Sequence, residues 1–358
     1  ETCCSSYKFF AKLVERYSIP ESADYSEGAI RELRLRICEI LKHWFRKKFC
    51  ELDKNTVEKI HFFMKNSLIP DGYQSEVNEM EAIMNAKLEE EQALDAEFKK
   101  FEPIPKIQWN DINNDSLYRA FLDSDEKTIA EQLTLHDWNL FKRIQPSELI
   151  GQAWNKNKHC ASNILEHIKR LNHVSYWVPS LILWSEKLKE RGTVLLKFVR
   201  IGQELLKLHN YNTLMGIVAG LNMSSVRRLK FTMTVLSDNQ VKEMEDLLEL
   251  MGPFKRYKQY KDHVAQATMP AIPYLGIYLT DLTFIEDGNP DTSDGLIFFR
   301  KRVQLSKVIE FIAKFQEIPY DFEQKEPLYS YLRELPGLVD EALYQLSLIR
   351  EPREAELT

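Results

Sequence analysis

The sequence is poor in the residues that punctuate or cross-link a chain. Twelve glycines and fourteen prolines in 358 residues leave few turn positions, which disfavours many-stranded β-architecture and favours long helices. The five cysteines, Cys3, Cys4, Cys38, Cys50 and Cys160, are odd in number, scattered and free of any C-x-x-C pair. That pattern excludes a disulfide framework and points to reduced thiols in the cytosol. His159, Cys160, His167 and His173 fit no common ligand spacing, so neither a metal nor a cofactor is expected. The longest apolar run, Leu214 to Leu221, is far too short to cross a bilayer, and no basic-then-apolar leader opens the chain. An excess of positive charge is missing too. A net charge of −6 argues against a nucleic-acid partner, and the run Arg227-Arg228-Leu229-Lys230 reads as a solvated or helix-end cluster.

Signatures of covalent chemistry are equally scarce. There is no G-x-S-x-G elbow, no H-E-x-x-H helix and no phosphate-binding G-x-x-x-x-G-K-[ST] loop. Asp281, Glu286 and Asp287 lie near a helix end, and nothing in the sequence buries them as an acid/base pair would require. What remains is the balance of a soluble globular chain, 44% apolar and 28% charged, long enough for two packed domains.

The pattern within that chain is helical almost throughout. Ile30, Leu33, Ile37, Leu41 and Trp44 recur every three or four residues, and so do Val57, Ile60 and Met64. A glutamate-rich stretch from about Gln74 to Lys100 reads as an imperfect amphipathic helix, a solvated linker. Pro103 and Pro105 then mark a break. From Ser116 to about Pro352 the pattern is helical again. The most informative segment is PYLGIYLTDLTFIEDGNP, Pro273 to Pro290. Pro273 suits a first helical turn, and Gly288-Asn289-Pro290 ends the helix. Tyr274, Ile277, Tyr278, Leu282 and Ile285 form an apolar stripe, while Thr280, Thr283 and Asp287 share another face. A second periodic run, Leu305, Val308, Ile309, Ile312 and Phe315, completes a helical hairpin.

These residues resemble the catalytic hairpin of the Ras-type guanine-nucleotide exchange factors, whose first helix reads P-[FY]-[FL]-G-x-Y-L-T-[DN] and ends near E-G-N-P. Further matches occur in order: Ile129 to Trp154, NILEHIKRLNHVSYWV, LHNYNTLMGIVAGLNMSSVRRLKFT and a closing LIREPR at Leu348 to Arg353. The wording YKFFAKLVERYSIP and LRLRICEILKHWFRKKF resembles the N-terminal motif domain that accompanies such exchange domains, with its usual first helix missing or only partly present. The chain is therefore expected to be a fragment. The resemblance implies an all-α protein with three parts. Residues 1–70 form a small helical bundle, 71–115 an acidic helical linker, and 116–353 an exchange domain with a protruding hairpin.

The resemblance also implies a function, promotion of GDP release from a Ras-family small GTPase so that GTP can enter, with the nucleotide-free GTPase bound most tightly. Carried over by position, Thr280, Thr283 and Asp287 face the nucleotide site. Thr283 stands where leucine can occur, and Asp287 where glutamate is usual. Phe298 stands where the family prefers asparagine. The GTPase-binding surface would draw on Ile168, Lys169, Met215, Tyr257 and Tyr274, with Asn222 and Arg227 beside it, while Trp138, Trp154 and Trp177 are expected in the core. YLTDLTFIEDGNP resembles Ras-directed members, and Rap- or Ral-directed exchange and a catalytically weak GTPase-binding scaffold are the alternatives. The protein is expected in the cytoplasm, recruited to membranes by its GTPase or by regions outside this chain.

Overall fold

The computed structural model describes residues 6–19, 25–49, 52–99, 120–293, 295–335 and 337–353, with the backbone alone for 91–99. The chain divides into two compact units. The first comprises residues up to 100 together with 150–161 and 290–302. Everything else described belongs to the second.

In the first unit, α1 (Ser6–Tyr17), α2 (Glu27–Lys48), α3 (Lys54–Phe63) and α4 (Gln74–Lys99) follow one another. Side chains satisfy two of their free N-termini: Ser26 Oγ accepts from the Ala29 amide and Asp53 Oδ1 from the Thr56 amide, as N-caps do. The apolar stripe anticipated in α2 buries Ile37 and Leu41, and these join Phe10, Leu13, Ile60, Phe63 and Met64 in one core. The first half of α4 contributes Val77, Met80 and Met84 to that core, so it packs and does not merely span. Buried Lys42 reaches Glu39 at 2.9 Å and Glu79 at 2.6 Å, tying α2 to α4. The turn of the hairpin, with strands β1 (Thr292–Ser293) and β2 (Leu296–Ile297), is also part of this unit.

The second unit is built on α5 (Glu126–Phe141), α6 (Ser162–Trp184), α7 (Leu188–Lys207) and α8 (Tyr211–Leu221). Helices α6 and α8 approach closely because α8 presents glycine at the contact. A Cβ on Gly220 would stand 2.7 Å from the Ser175 carbonyl oxygen, an oxygen that Pro179, lacking an N–H, cannot bond within α6. A buried carboxylate ties these helices together. Asp137 takes hydrogen bonds from Asn212 Nδ2 at 3.0 Å and Thr213 Oγ1 at 2.8 Å and faces His167 Nε2 at 3.0 Å. Burial pushes the Asp137 carboxyl up, but the His167 charge and the hydrogen bonds from His167 and Thr213 together hold it below the usual carboxylate range. Trp138 and Trp177 are buried as expected, and Trp154 is half-buried.

After α8 come α9 (Asp238–Leu250), α10 (Lys258–Gln266), α11 (Leu275–Gly288), α12 (Phe299–Lys314), α13 (Leu328–Glu334) and α14 (Asp340–Arg350). The closing LIREPR motif is a lock. Its Glu351 is buried, accepts from the Thr232 amide and hydroxyl at 2.8 and 2.6 Å, and meets Arg191 Nη2 at 3.4 Å. Arg228 donates to the Glu351 carbonyl at 2.8 Å, so half of the basic run at 227–228 serves the interior. No helix among the described residues is long and apolar enough to cross a membrane.

Candidate functional site

Helix α11 carries the predicted two faces. Inward it buries Leu275, Ile277, Tyr278, Leu279 and Leu282. Tyr274 and Ile285, expected on the same stripe, are half-buried at its margins. The Tyr278 ring packs on Phe311 of α12 at 5.1 Å. Along α12 the expected stripe buries Leu305 and Ile312, with Phe315 just beyond its end and Val308 and Ile309 half-buried.

Outward stand Thr280 and Asp287, both exposed, with Thr283 half-buried between them. Both threonine hydroxyls are committed to the helix itself. Thr280 Oγ1 donates to the Gly276 carbonyl at 2.8 Å and Thr283 Oγ1 to the Leu279 carbonyl at 2.9 Å, the usual back-bond of a helical threonine. Phe284 is 70% exposed, four residues after Thr280, where helical spacing sets it on the same side. Its ring also joins the lining of the cleft described next. Sequence reasoning assigned apolar residues of this helix to the core and so passed it over, although its offset from Thr280 was available.

At the base of this face lies a cleft of about 400 Å³ whose lining includes Pro253, Arg256, Tyr257, Lys261, Tyr274, Ile277, Thr280, Asp281 and Phe284. It has an apolar floor with charge at its edge, where Lys261 Nζ meets Asp281 Oδ2 at 3.4 Å. The Tyr257 and Tyr274 rings stand 6.5 Å apart at 60°. Burial, with the neighbouring Tyr257, raises the Tyr274 hydroxyl above the ordinary tyrosine range. Burial likewise takes Tyr278 up to about 12 against a hydrogen bond from Tyr260. Both therefore act as neutral hydroxyls at physiological pH.

The loop leading to Tyr257 is strained. Lys255, Arg256 and Tyr257 have φ of 48°, 58° and 59°, a left-handed run that costs L-residues roughly 1–2 kcal/mol each. Strain of this kind collects where a site demands it. No sequence signal announced it, because residues that favour the left-handed region, glycine and asparagine, are absent from 255–257.

The cleft thus unites three of the ten expected site residues, Tyr257, Tyr274 and Thr280. The other seven lie outside its lining. Ile168 and Lys169 are on α6, half-buried and exposed, and Met215 is half-buried on α8. Asn222 is exposed at the C-cap of α8, and Arg227 pairs with Glu245 at 2.7 Å. His167, one residue before Ile168, is held by Asp137, and Thr213, two before Met215, donates to the same carboxylate. Asp137 therefore pins the two helices at the level of those residues. Beyond the tip of α11, Asp291 binds Lys301 at 3.0 Å and Arg302 at 2.7 Å, while the half-buried Phe298 donates its amide to the Asp291 carbonyl.

A helix with a buried inner face, an outer face of hydroxyl, aromatic and carboxylate groups, and a tyrosine-lined cleft at its base offers contacts and charge. The model of the RasGEF domain matches residues 128–303, which span α6, α8, the cleft and α11. The chain belongs to the RasGEF-domain family. It is 37% identical over 355 residues to Ras guanine nucleotide exchange factor R of Dictyostelium discoideum, covering 97% of this chain and 20% of that protein. Ras guanine nucleotide exchange factor A of the same organism is 34% identical over 376 residues, covering 99% of this chain and 61% of the relative. Ras guanine nucleotide exchange factor K is 39% identical over 242 residues, 66% of this chain and 16% of the relative. The chain thus spans between about a sixth and three fifths of the length of these relatives. The RasGEF match begins within α5 and ends within α12, so all four helices α1–α4 of the first unit fall outside it.

Proposed function

We propose that this RasGEF-domain chain promotes GDP release from a Ras-family small GTPase, allowing GTP to bind. The observation that carries the reading is the coincidence of the matched domain with the cleft and the outer face of α11. A small GTPase holds nucleotide through backbone amides, a lysine, Mg²⁺ and switch loops ordered by phosphate. Release requires a partner that moves a switch and weakens the metal and phosphate sites, with no bond made or broken. In this reading the Tyr257–Tyr274 cleft receives an apolar segment of one switch. Ile168, Lys169, Met215, Asn222 and Arg227 extend the docking surface, and Thr280, Thr283 and Asp287 bear on the nucleotide site.

The exposed Asp287 carboxylate would compete with phosphate for positive groups, and the threonines would crowd the metal. Exchange factor and nucleotide then oppose each other reciprocally in binding free energy, so the nucleotide-free GTPase is the tightest partner. The N-terminal helices would brace the hairpin, whose turn belongs to the same compact unit, with 116–353 as the exchange domain. Membrane recruitment would come from the lipid-anchored GTPase or from regions outside this chain. Release of fluorescent GDP from a panel of Ras, Rap and Ral proteins tests the reading, with Ras expected to respond most. Absence of accelerated release from any of them, or a complex that persists in millimolar GDP, would leave a scaffold instead.

A further inference from the structure

We infer that Gly276 and Tyr260 are positioning residues that hold the Tyr274 ring in the wall of the cleft. Only the consequence for the GTPase rests on the exchange-factor reading.

Gly276 lies in the first turn of α11 with ordinary helical backbone, so no left-handed φ calls for glycine there. Space does. A Cβ at 276 would stand 2.5 Å from Tyr274 Oη, 2.6 Å from Cζ and 2.9 Å from Cε2. The ring therefore lies against the bare backbone of the helix it precedes. The atoms in the way belong to the outer end of one aromatic side chain, so an alanine displaces the ring and leaves the helix where it is. Alanine is also the better helix former.

The backbone of Tyr274 is fixed from the other side. Its amide precedes the first helical residue, and no side chain of its own caps the helix. Instead it donates to the buried Tyr260 hydroxyl at 2.8 Å, an oxygen also bonded to the Tyr278 hydroxyl. The Tyr260 ring is wedged edge-on against Tyr211 at 5.5 Å. Tyr260 sits on α10, three residues after Tyr257, so one short helix carries the first ring of the cleft and the anchor of the second. The separation of Tyr257 and Tyr274 is set by this pair of constraints.

The experiment compares Gly276→Ala with the parent chain, each in a Tyr274 and a Tyr274→Leu background. Tetranitromethane nitration of Tyr274, read by peptide mass spectrometry, needs no GTPase. The expected result is faster nitration in Gly276→Ala with an unchanged helical spectrum. The GTPase concentration at half-maximal exchange should rise about tenfold while the rate at saturation holds, the mark of lost docking alone. In the Tyr274→Leu background Gly276→Ala should add nothing. For Tyr260→Phe, amide exchange at Tyr274 should quicken about tenfold, since its acceptor is gone. Should Gly276→Ala alone fail to fold, recovery in the double variant supports the inference, and failure of both overturns it. Parental nitration and docking in Gly276→Ala, equal losses in both backgrounds, or an unchanged Tyr274 amide in Tyr260→Phe would each overturn it. A parent chain that exchanges nothing would sink the proposed function, while nitration and amide exchange would still decide the positioning.

Discussion

Two polar clusters of the second unit invite comparison. Around Asp137 every contact is inward: two helices deliver Asn212, Thr213 and His167 to one fully buried carboxylate. On the outer face of α11 the two threonines bond their own helix and Asp287 stands exposed. The first arrangement spends its polarity on holding helices in place. The second keeps a shaped surface that asks little of the fold, and so can change without unfolding the protein.

The comparison breaks most visibly at Asp137. Asp137→Ala strands His167 and the Asn212 and Thr213 donors, so about 3–5 kcal/mol of stability should be lost, measured by urea unfolding. A loss below about 1 kcal/mol would show that the network holds nothing. Next in size is Tyr257→Ala, which should cost about 2 kcal/mol in binding a nucleotide-free GTPase while the helical spectrum stays intact. Loss of helix content would instead mark that ring as core.

Thr280→Glu and Asp287→Lys should move stability by less than about 1 kcal/mol, yet slow nucleotide release about tenfold or more, a barrier change of about 1.4 kcal/mol. Two folded variants with the parent rate would reject the assigned face. The smallest change is expected on mild acidification. Burial, helped by the Arg170 charge, lowers His136 from 6.5 to about 4, and burial with Lys169 and Arg170 does the same to His173. Between those values the unfolded chain binds more protons, so stability falls as pH falls through that window. Asp137, held low in the fold, adds its loss at the acid end, below about pH 4. Urea midpoints should thus drop slightly just below neutrality and progressively toward pH 4. A flat profile would contradict two histidines held neutral in the fold.

How much of this the sequence disclosed depended on range. The helices of both units, the break after Gly288 and the inner stripe of α11 follow from spacing and breakers a few residues apart, and those were legible. Resemblance grouped Tyr257 and Tyr274 with Ile168, Lys169 and Met215 on one surface, and of these five the cleft lining holds the two tyrosines. The Asp137 cluster joins residues some thirty and seventy-five positions apart, and no local pattern announces such a meeting. The left-handed run at 255–257 was hidden for another reason, since Lys, Arg and Tyr carry no bias toward it. Phe284 was visible but passed over, because attention to the apolar stripe of a helix favours the residues that face inward.

The division of the chain has a consequence for its synthesis. The first compact unit draws on three stretches, the last of which ends at residue 302. Its N-terminal helices leave the ribosome about two hundred residues before that last stretch does, a wait of roughly 10–40 s at 5–20 residues per second. Throughout that interval the early helices lack at least one of the segments that complete their unit. They are a natural place for a chaperone to bind, and a chain cut after residue 100 would hold them in that unfinished state permanently.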